Sequence, residues 1–468
     1  MADLIDLSAS ELGDAIAARK ISPVEVAEAC LAQIGRLNGR LNAFVTLDEA
    51  GTRAAAKAAE AQIMRGDYLG PLHGIPIAHK DLYETRGMRT TAGSRVLEHH
   101  VPDTDATVVR RLSDAGMVLL GKTNTHEFAF GPTNEHSMFG AVHNPWDLTR
   151  ISGGSSGGAG AAIAARMTPL ASGSDTGGSI RMPAACCGVT GLKPTYGRVS
   201  RAGIFPLCWT MDHAGPLART VRDAALFLQA TAGHDPRDAA SSHAAVPDYM
   251  AALTGGVRGL RIGVPRRYFF DRSQDSVTAL VDAALDVLAG LGAELVEIDI
   301  PHIEAAAAAA LAIYLGEATA YHDDTLDDRA HLYTEQVRTF LELGDQLLAK
   351  DYIHAQRYRS LLGRELTTLF GRVDLIATPG IAMTATPIGG QTVTIRGTED
   401  SVFGAILRNT EPFNLVGLPA LVLPCGFDAQ GLPASLQLVG PAFSEALVLR
   451  AGDAYQRATD WHTRRPPV

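Results

Sequence analysis

Two serine-containing segments lie in glycine-rich sequence between residues 152 and 181. The first reads Ser-Gly-Gly-Ser-Ser-Gly-Gly, and the second reads Gly-Ser-Asp-Thr-Gly-Gly-Ser-Ile-Arg and contains Ser179. Glycine lets the main chain approach a ligand closely, and successive backbone N–H groups at Thr176, Gly177 and Gly178 are able to hold an oxyanion. No histidine pattern of the kind found in serine hydrolases accompanies these segments, so they indicate an unusual serine nucleophile.

The two segments are joined by a short stretch with its own helix and strand signals. Residues 158 to 166 are mostly small and predict a helix, and residues 170 to 172 predict a strand. Taken alone, a run of glycine and serine usually forms a tight turn. Here the helix and the strand between the two segments are able to bring Ser155 and Ser179 close together in space. This favours one functional site over two unrelated turns.

Two other segments match the residue spacing of known motifs but lack the flanking secondary structure that those motifs need. Residues 116 to 123 satisfy the phosphate-loop spacing, but their centre reads as an apolar strand, so nucleotide binding is disfavoured. Residues 154 to 158 fit the Gly-x-Ser-x-Gly nucleophile elbow, which needs a strand immediately before it. We expect residues 149 to 152 to be a poor strand, and we therefore give this elbow little weight.

The 15 histidines suggest neither a metal site nor a catalytic triad. The sequence has no His-Glu-x-x-His motif, and His126 beside Glu127 has no second ligand at metal-binding spacing. His79 precedes Lys80 in a predicted strand at 72 to 80, and successive side chains of a strand point to opposite faces. We therefore expect His79 to be a poor base for any site that Lys80 serves, and we expect no metal or cofactor.

The hydrophobic pattern alternates between helices and strands along most of the chain. Ser8 with Glu11, and Ser22 with Glu25, have the spacing of N-terminal capping boxes and predict two opening helices. Strands are predicted at 117–120, 262–264, 295–300, 375–378 and 420–423. This alternation predicts an α/β fold. Since no low-complexity linker interrupts it, we favour one large domain, 1–468, with 302–372 as a helical elaboration.

The composition excludes several classes of partner. The chain has 468 residues, is 46% hydrophobic and carries a net charge of −10 without a basic stripe, so nucleic acid is an unlikely partner. The start lacks the features of a secretory signal, and the longest apolar run, 305–315, is shorter than the roughly 20 residues that span a bilayer. Five cysteines form no disulfide framework or metal pair. We expect a cytoplasmic protein without a membrane partner.

Further residues resemble the amidase signature family, whose hallmark is a Ser-cis-Ser-Lys triad in a serine- and glycine-rich core. The matching stretches are Gly74-Ile75-Pro76, Lys80-Asp81, Thr123-Asn124, Glu127-Phe128, Asn144-Pro145-Trp146-Asp147 and the run 191–200. Weaker similarity covers 374–379 and 414–440. The resemblance implies an α/β domain with a mixed central β-sheet covered by helices on both faces, and a catalytic core at 70–220.

Carried over residue by residue, the resemblance implies three catalytic residues. Ser179 would be the nucleophile, Ser155 the serine after a cis peptide bond from Gly154, and Lys80 the base. To accept a proton at pH 7, Lys80 would need a pKa far below its usual value of about 10.4, through burial and nearby donors. The N–H groups of the segment 176–179 would stabilise the oxyanion.

Three more residues match the family motif around the nucleophile. Asp175 and Arg181 are expected to fix the loop, and a structural ion pair is an equally good explanation of both. Ser156 is expected to hydrogen-bond around the triad, although packing of a small residue explains it nearly as well.

The resemblance implies hydrolysis of a carboxylic acid amide to a carboxylate and ammonia or an amine. Esters and carbamates stay open, because the same acyl chemistry serves them. The main alternative is the A subunit of a tRNA-dependent amidotransferase, which shares the triad and acts as the glutaminase of a complex. That subunit usually has a tyrosine-rich helical stretch, and residues 336–344 and 351–359 do not resemble it. We therefore favour a free-standing amidase.

The resemblance also places the substrate pocket between 126–138, 302–345 and the loop after Pro379. Phe128 and Met138 are candidate wall residues. The apolar character of these segments favours an uncharged aryl or alkyl amide over an amino-acid amide. The expected partner is therefore a small-molecule amide, and a homodimer is compatible with the resemblance.

Overall fold

The computed structural model describes residues 4–468. The helices in this range are α1 (Ala9–Ala17), α2 (Pro23–Leu41), α3 (Glu49–Arg65), α4 (Thr107–Asp114), α5 (Gly157–Ala164), α6 (Arg181–Cys187), α7 (Val221–Thr231), α8 (Tyr249–Ala252), α9 (Asp275–Gly290), α10 (Ala306–Arg329), α11 (Glu335–Gly344), α12 (Ala349–Leu369), α13 (Val402–Leu407), α14 (Glu411–Leu415) and α15 (Glu445–Ala458). The strands are β1 (Phe44–Leu47), β2 (Pro76–Lys80), β3 (Val118–Thr123), β4 (His143–Asn144), β5 (Asp147–Ile151), β6 (Leu170–Asp175), β7 (Thr190–Lys193), β8 (His213–Ala218), β9 (Arg261–Pro265), β10 (Glu294–Ile298), β11 (Leu375–Pro379), β12 (Thr392–Ile395), β13 (Thr398–Ser401), β14 (Ala420–Phe427) and β15 (Pro433–Val439).

Eleven strands of the described chain form one central sheet in the order β1-β3-β2-β6-β8-β7-β14-β15-β11-β9-β10. Strand β2 runs parallel to β3 and β6, and β9 runs parallel to β10 and β11, whereas the pairs from β6 to β11 in the middle are antiparallel. Every residue of β2, β6, β7 and β8 is buried, because helices cover both faces. The prediction of a single α/β domain with a mixed sheet is confirmed.

Local sequence signals predicted most of these elements. Both capping boxes are present, with the Ser8 and Ser22 side chains accepting backbone N–H bonds at the starts of α1 and α2. The prediction of a poor strand at 149–152 was wrong, because Asp147–Ile151 forms β5 and pairs with β4 in a two-stranded hairpin. This hairpin lies outside the central sheet, and most of its residues are only partly buried, so β5 lacks the apolar alternation that marks a core strand.

Helices α10, α11 and α12 fill the segment that the sequence predicted as a helical elaboration. Helix α10 packs against both α11 and α12. The segment Ile303–Leu332 is long and apolar enough to cross a membrane by length and composition, but half of its most apolar stretch is buried in the fold. A core helix of a globular protein meets the same criterion, and packing against neighbouring helices accounts for its apolar residues.

Two helical glycines predict opposite effects on stability. A Cβ on Gly158 of α5 would lie 2.5 Å from the backbone of both Ala43 and Asn124, whereas a Cβ on Gly35 of α2 would meet nothing within 4 Å. We expect Gly35→Ala to raise the free energy of unfolding by about 0.5–1 kcal/mol through helix propensity. Gly158→Ala should lower it by about 1–3 kcal/mol or more through overpacking. Urea unfolding of both variants measures this, and changes of the same sign would contradict it.

Candidate active site

The site lies where three neighbouring parallel strands end. Lys80 is the last residue of β2, Thr123 the last of β3 and Asp175 the last of β6. Because the carboxyl ends of parallel strands meet at one edge of a sheet, the segments that follow these strands converge there. The loop before α5 carries Ser155 to the same edge, and the loop between β6 and α6 carries Ser179.

Lys80 is fully buried and contacts two serine hydroxyls. Its Nζ lies 2.7 Å from Ser155 Oγ and 2.9 Å from Ser174 Oγ. Burial lowers the pKa of Lys80 well below its ordinary value, although the carboxylates of Asp175 and Asp212 act in the opposite direction. The amine is therefore held in a form that is able to accept a proton from Ser155.

Backbone hydrogen bonds join the Ser155 segment to the Ser179 segment. The peptide bond between Gly154 and Ser155 is cis. The next residue, Ser156, donates its backbone N–H to the Ser179 carbonyl at 3.2 Å. Thr125 Oγ1 donates to the carbonyl of Ser155 at 3.0 Å. The structure thus brings Lys80 and Ser155 into contact and ties the loop of Ser179, whose side chain is buried, to the same cluster.

The loop before Ser179 has the free backbone donors that an oxyanion hole needs. Within residues 4–468, the N–H groups of Gly177, Gly178 and Ser179 donate to no other group. Thr410 Oγ1 donates to the Gly177 carbonyl at 2.5 Å, and Thr176 Oγ1 donates to Asp212 at 2.6 Å. These side chains fix the loop while its amide groups stay available, which is the arrangement that stabilises a developing negative charge.

Glycine is required at two positions of this loop. Gly178 has φ +136°, in the region that side chains rarely adopt, and a Cβ there would lie 2.2 Å from Thr410 Oγ1. A Cβ on Gly177 would lie 2.5 Å from Tyr314 Oη. Any larger residue would therefore displace the loop or the side chains that hold it.

A buried ion pair fixes the loop on its other side. Arg181 and Asp175 are fully buried and form two contacts of 3.0 Å, from Nε and Nη2. Burial alone would raise the pKa of Asp175, but Arg181 overrides it and holds the pKa below its usual range. Arg181 also donates to Gln437 Oε1 at 2.7 Å and to Asn414 Oδ1 at 2.5 Å. These two partners come from the C-terminal third of the chain, and the sequence analysis did not identify them.

Ser156 supports the residues around Lys80, whereas Phe128 and Met138 lie apart from them. Ser156 Oγ donates to the carbonyl of Ser174 at 3.3 Å and so supports the end of β6. The Phe128 ring packs at 4.4 Å from the ring of His322, and Met138 donates its N–H to the Gly93 carbonyl. Neither Phe128 nor Met138 belongs to the walls of the cavity beside Ser179.

That cavity is narrow, about 30 Å³, and its walls are apolar. Phe130 and Tyr314 come from two of the segments that the sequence predicted as pocket walls, whereas Phe403 and Leu407 come from α13, which was not predicted. The Tyr314 hydroxyl is buried and has no hydrogen-bond partner in the described chain. No charged side chain is among the wall residues of this cavity in the range 4–468. The sequence did not single out Tyr314 as a wall residue, because Tyr314 lies in an alanine-rich helix whose apolar pattern predicts a core helix.

The histidines nearest to these strands have other partners. His79 Nδ1 lies 3.1 Å from Ser172 Oγ, and burial, followed by the charge of Lys122, lowers the pKa of His79 to about 3. His126 Nε2 lies 2.9 Å from Gln336 Oε1, and burial is again the main cause that lowers its pKa to about 3. Among residues 4–468 no group of three or more potential metal ligands comes together.

The architecture and this cluster are those of hydrolases that act on C–N bonds. The family model described as Amidase matches residues 25–449. The chain therefore belongs to the amidase signature family.

Individual relatives carry different descriptions. The chain is 46% identical to the A subunit of the glutamyl-tRNA(Gln) amidotransferase of Roseiflexus sp. (strain RS-1), with 99% of each chain covered. It is 45% identical to an amidase of Pseudomonas putida, covering 100% of this chain and 99% of the relative. A chain in a solved structure of a vestigial protein complex, linked to the origins of an s-triazine catabolic enzyme, matches with a TM-score of 0.94 at 37% identity, covering 99% of this chain and all of that one.

The buried ion pair predicts a large loss of stability when one partner is removed. Arg181→Met leaves the Asp175 carboxylate buried without its cation, which we expect to lower the free energy of unfolding by about 3–5 kcal/mol. Arg53 makes a comparable contact of 2.8 Å with Glu28 at the exposed surface, so the control Arg53→Met should leave the stability close to that of the wild type. Urea unfolding compares them, and equal losses would refute the role of burial.

Proposed function

We propose that the chain hydrolyses the C–N bond of a carboxylic acid amide through an acyl-enzyme on Ser179. The observation that carries this proposal is the buried contact of Lys80 with Ser155, next to backbone N–H groups that have no other partner. A base of lowered pKa and an oxyanion hole are the two requirements for making serine a nucleophile toward an amide. Membership of the amidase signature family supports the same reaction class.

The proposed steps use these groups in turn. Ser179 Oγ attacks the amide carbonyl carbon while its proton passes to Ser155, and Ser155 passes its own proton to Lys80. The carbonyl oxygen becomes negative and accepts hydrogen bonds from the N–H groups of 177–179. The C–N bond then breaks, and Ser155 returns a proton to the departing nitrogen. Water attacks the Ser179 ester by the same relay, which releases the carboxylate and restores the free hydroxyl.

The cavity beside Ser179 supports an uncharged acyl group. Its walls hold the rings of Phe130, Phe403 and Tyr314 and carry no charged side chain in the described chain. Free glutamine would bring a carboxylate and an ammonium group into this cavity, and burying charges without partners is costly. The wall residues therefore favour an uncharged alkyl or aryl acyl group, of which a volume of about 30 Å³ encloses only the part next to Ser179. The unpartnered Tyr314 hydroxyl supplies one polar contact.

A second candidate is the A subunit of a tRNA-dependent amidotransferase. Seven of the similar curated relatives carry that description, at 43–46% identity, and this similarity supports the amidotransferase subunit better than it supports a free-standing amidase. The similarity to the Pseudomonas putida amidase supports the free-standing enzyme. The alignment with that amidase spans 470 positions, close to the 468 residues of this chain, whereas the alignment with the Roseiflexus protein spans 490. The uncharged cavity is the observation that leads us to retain amide hydrolysis without partners as the main proposal.

Covalent labelling tests the nucleophile and the base. A fluorophosphonate should modify Ser179 in the wild type and in Ser156→Ala, and Lys80→Ala should slow the reaction by about 10²–10⁴-fold through loss of the base. Because the ammonium form of Lys80 accepts no proton, the labelling rate should fall as pH decreases through the Lys80 pKa. Burial lowers that pKa, so the rise should be complete well below pH 10.5. Peptide mapping of the adduct to Ser156 would overturn the assignment.

Ammonia release from a set of amides separates the two candidate functions. The purified chain alone should hydrolyse uncharged alkyl and aryl amides with kcat/KM at least about a hundredfold above that for glutamine, since a buried unpaired charge costs several kcal/mol. Ser179→Ala is the control for contaminating enzymes and should release nothing. Release of ammonia from glutamine only after the other amidotransferase components are added would instead support the second candidate.

A further inference from the structure

A second cavity adjoins the apolar one and differs from it in character. It has a volume of about 200 Å³ and shares the wall residues Ala129, Thr176 and Leu207 with the cavity beside Ser179. Its other walls include two acidic and two basic residues, namely Asp212, Asp238, Arg201 and Arg237. We refer to it as the polar cavity. Ser179 lines the apolar cavity, and the polar cavity lies next to it across these shared wall residues.

The polar cavity adjoins the proton relay through one residue. Ser174 lines this cavity, and its hydroxyl lies 2.9 Å from Lys80 Nζ, the base of the proposed relay. In the proposed reaction the relay delivers a proton to the nitrogen that leaves, so the nitrogen faces the relay. We infer that the part of the substrate attached to this nitrogen extends toward Ser174 and away from the apolar walls.

The polar cavity contains one carboxyl group without a cation in contact. Arg201 pairs with Asp238, with Nη2 to Oδ1 at 2.7 Å, and Arg237 lies 3.9 Å from Asp235. Asp212 accepts hydrogen bonds only from neutral donors, namely Thr176 Oγ1 at 2.6 Å and the N–H groups of Leu207 and Cys208 at 3.0 Å. Burial raises the pKa of Asp212 to about 6, while these hydrogen bonds and the charge of Arg201 act in the opposite direction. Above this pH the cavity therefore contains a carboxylate that no cation of the described chain contacts.

An aromatic ring at the wall of the polar cavity has an accessible face. The backbone carbonyl of Trp209 accepts a bond from Tyr196 Oη at 2.7 Å, whereas the Trp209 side chain is 47% exposed. A fixed backbone with an exposed ring provides a surface for the flat or cationic part of a ligand. The volume of about 200 Å³ is below the roughly 300–1,000 Å³ of cavities that hold drug-sized ligands, so the group it accepts is small.

We propose that the polar cavity binds the amine half of the substrate and that Asp212 and Trp209 select amides of small amines carrying a positive charge or several N–H donors. This inference rests on the proposed amide hydrolysis. The acyl half occupies the apolar cavity, and the departing amine leaves through the polar cavity. Each cavity therefore binds one half of the substrate, and selection of the acyl half is independent of selection of the amine half.

Two matched substrate series test this division. In the first, one acyl group is kept and the amine half is changed from N-propyl to its cationic isostere N-(2-aminoethyl). In the second, the amine half is kept and the acyl chain is lengthened. The variants are Trp209→Ala and Ala239→Trp, the latter placing a bulky side chain on the wall of the polar cavity. Ala245→Trp is the matched control, since Ala245 is exposed and does not belong to that wall.

The wild type should prefer the cationic amide by about fivefold in kcat/KM, which corresponds to about 1 kcal/mol of binding. Trp209→Ala should reduce this preference. Ala239→Trp should lower kcat/KM for both N-substituted amides relative to the unsubstituted primary amide of the same acyl group. Ala245→Trp should behave as wild type, and selectivity between acyl chains should be the same in all variants. Altered acyl selectivity, or unchanged amine selectivity in active variants, would overturn the inference.

Failure of the proposed function has a different signature. In that case the folded wild type would hydrolyse neither series nor the methyl ester of the same acid, and Ser179 would not be labelled. Both proposals would then fall together. An enzyme that labels at Ser179 and hydrolyses the ester, yet shows no discrimination between amine halves, would remove the polar-cavity inference alone.

Discussion

The rest of the site depends on one constraint: a lysine side chain is buried without a carboxylate in direct contact. Lys80 has two serine hydroxyls as partners, at 2.7 and 2.9 Å, in a fully buried position. Desolvation disfavours the charged amine and lowers its pKa. The carboxylate with the largest opposing effect on the Lys80 pKa, Asp175, already forms two contacts with Arg181, so its charge is largely compensated. The ion pair therefore fixes the nucleophile loop and also limits the stabilisation of a protonated Lys80.

The sheet topology makes this burial possible. Strands β2, β3 and β6 are parallel neighbours, and their carboxyl ends place Lys80, Ser174 and the loop of Ser179 at one edge. Strands β14 and β15, with helix α14, then bring residues from the end of the chain against the same loop, among them Asn414 and Gln437. The site is consequently assembled from positions more than 300 residues apart, and it requires the complete domain rather than the glycine-rich segment alone.

This assembly explains what the sequence was able to predict. The strand ending at Lys80, the helix after Ser155 and the strand before Ser179 have local signals, and the structure places these elements as expected. The hairpin strand β5 was missed because it packs against one short partner, and its side chains do not alternate between core and solvent. Tyr314, Phe403 and Leu407 gave no signal because apolar residues of a helix read as core until tertiary packing shows which of them face a cavity.

The contrast between the two cavities suggests why relatives with different descriptions are able to share one set of catalytic residues. In the proposed reaction, Lys80, Ser155 and the free N–H groups act only on the carbonyl carbon, its oxygen and the departing nitrogen, so they do not distinguish substrates that differ elsewhere. In this proposal, the wall residues of the two cavities make that distinction. In this chain the walls beside Ser179 come from α10 and α13, and those of the polar cavity come from residues 201–213 and 237–239. Helices α10 and α13 are separate from the strands that position the triad, and their wall residues are free to vary without disturbing the buried lysine. The polar cavity is more constrained, because Ser174 contacts Lys80 and Asp212 accepts a bond from Thr176.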